Sequence, residues 1–292
     1  MGKKKENGPE REAAGYRILE ELGSGATSRV YRVRDDETGQ DYALKCSEYA
    51  RRLRAEAAVL RSFQHPCFPR WIEDGSLPDG AYLVMEYIPG ITLGRLMDRY
   101  PAGMPEKMAV GIAMDVAGGL ACLHGRHPPY IYRDIKADNV MITPQGRARL
   151  VDLGAVCAEG IKGKYRVGTY GYSAPEQFWT GAGITPACDI YGMGKLLAFM
   201  LTGQDPCKPP YDTENYCSRH SGIGSRIKRL LERCLHPDPQ MRYPDAAFLL
   251  PELSALEAGP PGFIDKIREP GGNKCPYRYI KCIWKSEYER IF

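Results

Sequence analysis

The sequence predicts an α+β protein of two lobes, a small β-rich N-terminal lobe and a larger helical C-terminal lobe. Two changes of pattern along the chain support this prediction. Residues 16–88 alternate polar and apolar side chains in short segments separated by turn residues, which is typical of antiparallel strands. Residues 89–257 instead repeat apolar residues at three- and four-residue steps, which indicates helices. At 292 residues the chain is long enough for two lobes around one cleft.

The N-terminal lobe is predicted to form a small antiparallel sheet with one helix. Strand patterns cover residues 16–22, 29–35, 42–47, 68–74 and 81–88. Turn residues separate the second strand from the third and the fourth from the fifth. Helical spacing appears once in this lobe, over residues 51–63, where the apolar residues near one face are Leu53, Ala57, Leu60 and Phe63.

The C-terminal lobe is predicted to contain four main helices, at residues 105–123, 189–202, 225–235 and 244–256. Pro244 suits the first turn of the last helix. Pro251 lies inside the same apolar run, and it is expected to kink or break that helix because proline lacks the backbone N–H.

Two charged tails flank the lobes. Residues 1–15 are predicted to be disordered, and residues 258–292 form a basic, aromatic C-terminal tail. The net charge of +4 comes from the ends, since residues 1–15 carry +1 and residues 264–292 carry +3. This charge density does not indicate nucleic-acid binding. A solvated tail is the first interpretation of residues 258–292, and contact with a membrane surface is the alternative.

The sequence shows no sign of secretion or membrane insertion. Apolar runs fall short of the about 18 residues that a membrane span needs, and the first ten residues have no apolar core. The ten cysteines form no CxxC pair, so they are interpreted as reduced, partly buried residues rather than metal ligands. Cys157 could be exposed, although a structural role is favoured there too. A cytoplasmic location is expected.

Side chains that suit magnesium and phosphate chemistry are concentrated in residues 130–154. Asp134 and Asn139 follow the first long predicted helix, and a short apolar strand at 148–151 brings Asp152 just before a glycine. Magnesium binds oxygen ligands and keeps several waters, so one carboxylate and one amide oxygen, completed by phosphates, suit it. A second carboxylate then remains to orient a hydroxyl nucleophile. The stretch therefore indicates phosphoryl transfer.

Two features of the N-terminal lobe could serve a nucleotide. Gly23 and Gly25 lie between two predicted strands, where backbone N–H groups could point at phosphate oxygens, and an ordinary turn is the alternative. Lys45 ends a strand among apolar neighbours, where an ammonium group needs a partner. Glu56 on the following helix is the natural partner. A surface lysine and a solvated glutamate are the alternative.

In this order the features resemble the eukaryotic-type protein kinases. The resemblance rests on Gly23-x-Gly25, Ala43-Leu44-Lys45, Glu56, Val84-Met85-Glu86-Tyr87, Tyr132-Arg133-Asp134, Lys136, Asn139, Asp152-Leu153-Gly154, Gly168-Thr169, Ala174-Pro175-Glu176 and Asp189. It covers nearly all of residues 16–256, and Gln177 makes it most similar to bacterial serine/threonine kinases. Ser28, Tyr132 and Leu153 depart from the family's commonest residues. The resemblance implies a bilobal protein-kinase fold, with a kinase domain at residues 16–257.

The resemblance also implies catalytic roles. Lys45 would contact the α- and β-phosphates of ATP and would be held in place by Glu56. Asp134 would orient the hydroxyl of the substrate, and Lys136 would steady the γ-phosphate. Two residues would hold Mg²⁺, namely Asn139 and Asp152.

Nucleotide binding is implied for a further set of residues. The glycine loop and the adenine pocket would together be formed by Leu22, Gly23, Ser24, Gly25, Val30, Ala43, Lys45, Met85, Glu86, Ile88 and Met141. As single apolar side chains, the members of the pocket would otherwise be interpreted as core residues.

The expected partners are protein substrates with serine or threonine. Lys136 resembles the lysine of serine/threonine kinases, and Thr169 would hydrogen-bond with it and with Asp134. Glu176 would form a buried ion pair with Arg242 that supports the peptide-binding segment.

The activation of such an enzyme is less evident from the sequence. Residues 155–167 contain no serine or threonine, and Tyr165 is their only hydroxyl. In the family, Arg133 would receive a phosphate from this segment. We therefore expect that activation needs no serine or threonine phosphorylation before Thr169, and that Glu159 or a different contact serves Arg133.

Two alternatives to an active protein kinase remain. A pseudokinase scaffold would bind nucleotide without turnover, although every catalytic and metal-binding residue of the family is present. A small-molecule kinase of similar fold would generally lack Thr169 and the motif at 174–176.

Overall fold

The computed structural model describes residues 15–25, 27–160, 167–179, 183–209, 211, 220 and 222–257. The predicted tails at 1–15 and 258–292 lie outside these ranges, apart from Gly15. The chain divides into two compact units, Met1–Pro89 and Gly90–Phe292.

Unit 1 contains a five-stranded antiparallel sheet and helix α1. The strands are β1 (Tyr16–Ser24), β2 (Arg29–Asp35), β3 (Asp41–Ser47), β4 (Trp71–Leu77) and β5 (Gly80–Glu86), in the order β1-β2-β3-β5-β4. Helix α1 covers Ala50–Arg61 and contacts β3, β4 and β5. The predicted sheet with one helix is therefore confirmed.

The alternation in β2 shows how this sheet separates its two faces. Tyr31 and Val33 are buried in the apolar core, whereas Arg32 and Arg34 point to the other face, as the period of two requires. Both arginines donate to the carboxylate of Asp41 at the start of β3, with closest distances of 2.6 Å. These hydrogen bonds lower the pKa of Asp41 to about 2. The cluster therefore links β2 to β3 on the solvent side.

Most elements of unit 1 lie within two residues of their predicted positions, and the largest shift is that of β4. The strand predicted at 68–74 is observed three residues later, as β4. Pro69 explains the difference, because it has no N–H to donate to the sheet. The helix predicted at 51–63 ends at Arg61, and Phe63 lies beyond its end in the following loop.

Unit 2 is mainly helical. Its α-helices are α2 (Leu93–Met97), α3 (Glu106–His124), α4 (Ala187–Thr202), α5 (Ser225–Cys234) and α6 (Ala246–Glu257). Its short strands are β6 (Ile91–Thr92), β7 (Tyr130–Ile131), β8 (Val140–Ile142), β9 (Ala148–Leu150) and β10 (Cys157–Ala158). They form one sheet in the order β6-β8-β9 and a β10-β7 pair. The helices predicted at 105–123, 189–202 and 225–235 are confirmed to within two residues.

Helices α3 and α4 form the core of unit 2. Every residue of α4 is buried, and α3 packs against both α4 and α6. In the described part of the chain, α3 alone is long and apolar enough to cross a membrane, contrary to the expectation that no run approaches that length. Of its apolar window, 61% is buried inside the protein, which is typical of a core helix.

The prediction that Pro251 breaks the last helix is wrong. Helix α6 runs through Pro251 without ending. Leu249 and Leu253 on the same helix are buried, whereas Pro251 and Ala247 are exposed. The carbonyl group that the proline ring displaces is that of Ala247, and on the solvent side this group can tilt towards water. Packing of the buried face against α3 then keeps the helix continuous.

Candidate active site

The loop between β7 and β8 brings together three predicted site residues, Asp134, Lys136 and Asn139. Oδ2 of Asp134 accepts a hydrogen bond from Nδ2 of Asn139 at 3.0 Å and pairs with Nζ of Lys136 at 3.0 Å. Oδ1 of Asp134 accepts from the hydroxyl of Thr169 at 2.6 Å, and Lys136 donates to the same hydroxyl at 3.2 Å. The predicted contacts of Thr169 are therefore confirmed. These donors hold the Asp134 carboxylate in one orientation.

Asp189 supports the backbone just before Asp134. The N–H groups of Tyr132 and Arg133 donate to the two oxygens of its buried carboxylate, each at 2.7 Å. Arg133 has a φ of 68°, and a left-handed backbone at a non-glycine residue costs about 1–3 kcal/mol. The hydrogen bonds to Asp189 stabilise this strained turn, and the turn in turn sets the direction of Asp134.

His124 at the end of α3 completes the support, and the sequence analysis missed it. Its Nδ1 accepts the N–H of Ala246 at 3.1 Å, so the hydrogen of the neutral ring lies on Nε2. Nε2 lies 3.0 Å from Oδ2 of Asp189 and donates to it. One imidazole thus connects α3, α4 and the first residue of α6. The only signal in the sequence is a polar residue ending an apolar helix, which also fits an ordinary core histidine.

The two predicted metal ligands flank a pair of neighbouring strands, Asn139 just before β8 and Asp152 just after β9. Asn139 directly precedes β8, and its carbonyl oxygen accepts the N–H of Val151, the residue before Asp152, at 2.9 Å. Asp152 is exposed, with a φ of 63°. Both amide hydrogens of Asn139 go to Asp134, one to its backbone oxygen at 2.9 Å and one to Oδ2. This orientation leaves the amide oxygen of Asn139 for a cation. An amide oxygen and a carboxylate fit Mg²⁺, which prefers oxygen ligands.

Lys45 and Glu56 form a buried ion pair within unit 1. Nζ of Lys45 in β3 donates to both carboxylate oxygens of Glu56 in α1, at 2.9 and 2.8 Å. The two side chains are 8% and 3% exposed. The predicted pairing is confirmed, and the alternative of a surface lysine with a solvated glutamate is excluded.

Replacing Glu56 by Gln is expected to lower the free energy of unfolding by about 2 kcal/mol, since the buried ammonium then loses a charged acceptor. Urea denaturation followed by circular dichroism measures this change. The control is Glu48→Gln, which alters an exposed glutamate two residues before α1. Equal stability of the two variants would contradict the expectation.

A second buried ion pair lies within unit 2. Glu176 lies in the 3-10 helix Pro175–Phe178, and Arg242 directly follows the 3-10 helix Pro239–Met241. The guanidinium donates to the two carboxylate oxygens at 2.6 and 3.1 Å, and both side chains are almost fully buried. The predicted pair is confirmed.

Comparison with known proteins agrees with this geometry. Residues 16–249 match the family described as the protein kinase domain. The chain belongs to the protein kinase family.

Curated relatives carry kinase names. The chain is 30% identical to serine/threonine-protein kinase pkn2 of Myxococcus xanthus, over 89% of this chain and 35% of that protein. It is 32% identical to protein kinase 3 of Dictyostelium discoideum, over 78% of this chain and 28% of that protein. It is 27% identical to serine/threonine-protein kinase PknB of Mycobacterium leprae, over 89% of this chain and 46% of that protein. The chain thus spans less than half the length of these three relatives.

The glycine loop of this kinase begins within β1. Gly23 pairs with Val30 across the hairpin, and the N–H of Gly25 donates to the carbonyl of Ser28 at 2.8 Å. A Cβ atom at Gly23 would meet no described atom within 4 Å, and one at Gly25 would meet only the Ser28 oxygen, at 3.8 Å. Packing inside unit 1 therefore does not require glycine at either position. The phosphate contact at these glycines stays a prediction.

The other residues predicted for nucleotide binding lie in several strands. They are Leu22 and Ser24 in β1, Val30 in β2, Ala43 in β3, Met85 and Glu86 in β5, Ile88 shortly after β5, and Met141 in β8. Ala43 lies opposite Met85 in the β3–β5 register, and both are 7% exposed. Leu22 is 44% exposed in the edge strand β1. Their roles in binding remain predictions.

Arg133 has a neutral partner in the segment at 155–167, which we call the activation segment. Nε of Arg133 donates to the backbone oxygen of Ala155 at 2.5 Å. Among the described residues the partner seen for Arg133 is thus Ala155 and not Glu159, and the hypothesis that activation needs no phosphate stays a prediction. Tyr165 lies outside the described residues.

Cys157 is half-buried in β10, and burial raises the pKa of its thiol despite the nearby guanidinium of Arg133. A raised pKa leaves less of the reactive thiolate, which argues against a reactive role for Cys157.

Proposed function

We propose that this chain transfers the γ-phosphoryl group of ATP to serine and threonine hydroxyls of proteins, with Mg²⁺ as the metal cofactor. The observation that carries the proposal is the Asp134 carboxylate, which is held at once by Asn139, Lys136 and Thr169. A carboxylate fixed beside a lysine and a metal-binding amide is the arrangement that phosphoryl transfer needs.

In this proposal Asp134 orients the acceptor hydroxyl and takes its proton as the bond to phosphorus forms. Lys136 adds positive charge beside it and stabilises the charge that develops on the transferred phosphoryl group. Lys45 contacts the α- and β-phosphates, and Glu56 keeps its ammonium group in place. The backbone N–H groups of the glycine loop bind phosphate oxygens.

Mg²⁺, when bound, would supply positive charge that offsets the negative charge of the phosphates. Asn139 and Asp152 are the residues that would hold it. The amide of Asn139 is oriented by its hydrogen bonds to the backbone oxygen and to Oδ2 of Asp134, and the second of these also helps to position the carboxylate.

Preference for serine and threonine is supported by Thr169. Its hydroxyl accepts from Lys136 and donates to Asp134, so it shares the environment proposed for the substrate hydroxyl. The pseudokinase alternative has no support in the comparisons, because the named relatives are kinases. A small-molecule substrate is disfavoured because two of those three relatives are named serine/threonine-protein kinases.

The test uses peptides that are identical except for serine, threonine, tyrosine or alanine at one position. With γ-labelled ATP and Mg²⁺, we expect label on the serine and threonine peptides and none on the alanine peptide. Labelling confined to tyrosine would overturn the proposed specificity. ATP binding without any labelled product would instead support the pseudokinase.

A cytoplasmic location is also proposed. The seven cysteines within the described ranges are free thiols, as expected in a reducing compartment. Cell fractionation with an antibody against the chain tests this proposal, and recovery with secreted proteins would contradict it.

A further inference from the structure

Gln177 is a buried polar residue that the proposed mechanism does not use. It lies in the 3-10 helix Pro175–Phe178 and is 6% exposed. The preceding residue, Glu176, is held by Arg242, so the short helix that carries Gln177 is anchored. A buried carboxamide needs partners for its oxygen and for both of its hydrogens.

Backbone groups supply all of these partners. Oε1 of Gln177 accepts the N–H of Ala174 at 3.0 Å. Nε2 donates to the carbonyl oxygen of Arg133 at 2.9 Å and to the carbonyl oxygen of Val167 at 3.0 Å. We call this arrangement the Gln177 clamp. It requires an amide nitrogen, because a carboxylate has no hydrogen to donate to either carbonyl.

The clamp joins two chain segments beside the reacting groups. Arg133 lies one residue before Asp134, and Val167 lies two residues before Thr169. The side chains of Asp134 and Thr169 meet at 2.6 Å. One carboxamide therefore sets the separation of the two backbones whose side chains form the site.

Gly168 is adapted to this close approach. Its φ is +133°, which favours glycine. A Cβ atom there would lie 2.9 Å from Nε2 of Gln177 and 2.1 Å from Oγ of Ser173. A side chain at this position would therefore push the segment away from the clamp.

We propose that Gln177 is a positioning residue of the phosphotransfer reaction, and that its clamp holds Thr169 against Asp134 without a phosphate on the activation segment. The inference rests on the proposed function. The contacts of Gln177 are hydrogen bonds to neutral backbone groups, and Nε of Arg133 likewise donates to a backbone oxygen. In this proposal the Gln177 clamp is therefore formed by the fold itself and needs no phosphorylated residue.

Gln177→Met removes the clamp while keeping the length of the side chain. We expect kcat to fall about tenfold to a hundredfold, because two buried carbonyl groups lose their donor and Thr169 is no longer fixed. The KM for ATP should not change, since the phosphate-binding residues of unit 1 are untouched. The matched control is Gln145→Met, at an exposed position between β8 and β9, which should leave both constants unaltered. An unchanged kcat in Gln177→Met would overturn the inference.

The variant Gln177→Glu distinguishes a positioning role from a loss of folding. The same folded variant is measured at two pH values, so a difference between them reports the protonation of the new side chain. As a carboxylate it cannot donate, whereas as an acid it donates to one carbonyl. The facing carbonyl oxygens should raise the pKa of the new acid. We therefore expect its kcat, relative to the unmodified chain, to rise as the pH falls from about 8 to about 6. The neighbouring ionisable residues are Arg133, Asp134 and Glu176. They are present in both proteins, so dividing the kcat of the variant by that of the unmodified chain removes their own pH dependence. A flat ratio would contradict the clamp.

A double variant tests whether Gln177 acts through Thr169. In a Thr169→Ala background, Gln177→Met should lower kcat much less than it does alone, because coupled residues are not additive. The same loss in both backgrounds would overturn the inference.

Hydrogen exchange of the peptide covering residues 167–179 gives a readout that does not depend on activity. We expect faster exchange in Gln177→Met than in the unmodified chain. An inactive unmodified chain would contradict the proposed function, and unchanged exchange would contradict the clamp itself.

Discussion

Asp134→Asn is expected to lower kcat by about 10²- to 10⁴-fold while leaving the fold intact, which is the effect of removing a general base. The two side chains have the same shape, so packing is preserved. The amide nitrogen, however, cannot accept a hydrogen bond. At present Oδ1 accepts from Thr169, and Oδ2 accepts from Asn139 and contacts Lys136. An amide nitrogen turned towards Asn139 and Lys136 faces other donors, and one turned towards Thr169 forces that hydroxyl to accept instead of donate. In either orientation the carboxylate that accepts the proton is lost.

Steady-state kinetics with the preferred peptide and Mg²⁺-ATP measure this effect. The matched control is Asp98→Asn, an exposed aspartate at the end of α2, which should keep kcat within about twofold because surface changes away from the site have small effects. Thermal unfolding of both variants should agree with that of the unmodified chain. Retention of kcat in Asp134→Asn would show that another group accepts the proton.

Local patterns in the sequence were sufficient for elements whose pattern is uninterrupted. Strand β2 was predicted to the residue, because Tyr31 and Val33 alternate with arginines without a break. The pair of Lys45 and Glu56 was suggested by an ammonium among apolar neighbours, which needs a counter-charge, but the choice of a buried pair over a surface lysine depended on the family resemblance.

Contacts between distant residues depended on the family resemblance. Glu176 and Arg242 are 66 positions apart, and no periodicity connects them. The contact of Thr169 with Asp134, across 35 positions, was predicted for the same reason. Such pairs form only when the tertiary fold brings the two residues together, and composition and spacing alone do not predict which residues will meet.

Polar residues that bond to the backbone escaped both kinds of reasoning. His124 and Gln177 contact main-chain groups of segments remote in sequence, and any segment offers the same N–H and C=O groups. The helix predicted at 244–256 is continuous through Pro251, because packing of α6 against α3 overrides the local preference of proline.

Glu176→Gln is expected to lower the free energy of unfolding by about 3–5 kcal/mol, because it leaves the guanidinium of Arg242 buried without its counter-charge. Arg242 is fully buried, and all five of its N–H donors are used. Two go to Glu176, and the other three go to the carbonyl oxygens of Ala187, His236 and Pro237. These donors hold the charged group in place, so it cannot move to water when Glu176 is neutralised.

Urea denaturation measures the loss, and the exposed pair of Arg17 and Asp36 provides the control. Those side chains are 55% and 60% exposed, so Arg17→Ala should cost less than about 1 kcal/mol. Adding Arg242→Met to Glu176→Gln should recover part of the stability, because the double variant no longer buries a lone charge. A loss no larger than that of Arg17→Ala would show that the buried pair contributes no more than a surface one. Because Gln177 is the next residue, Glu176→Gln should also reduce kcat through the Gln177 clamp, whereas Arg17→Ala should not.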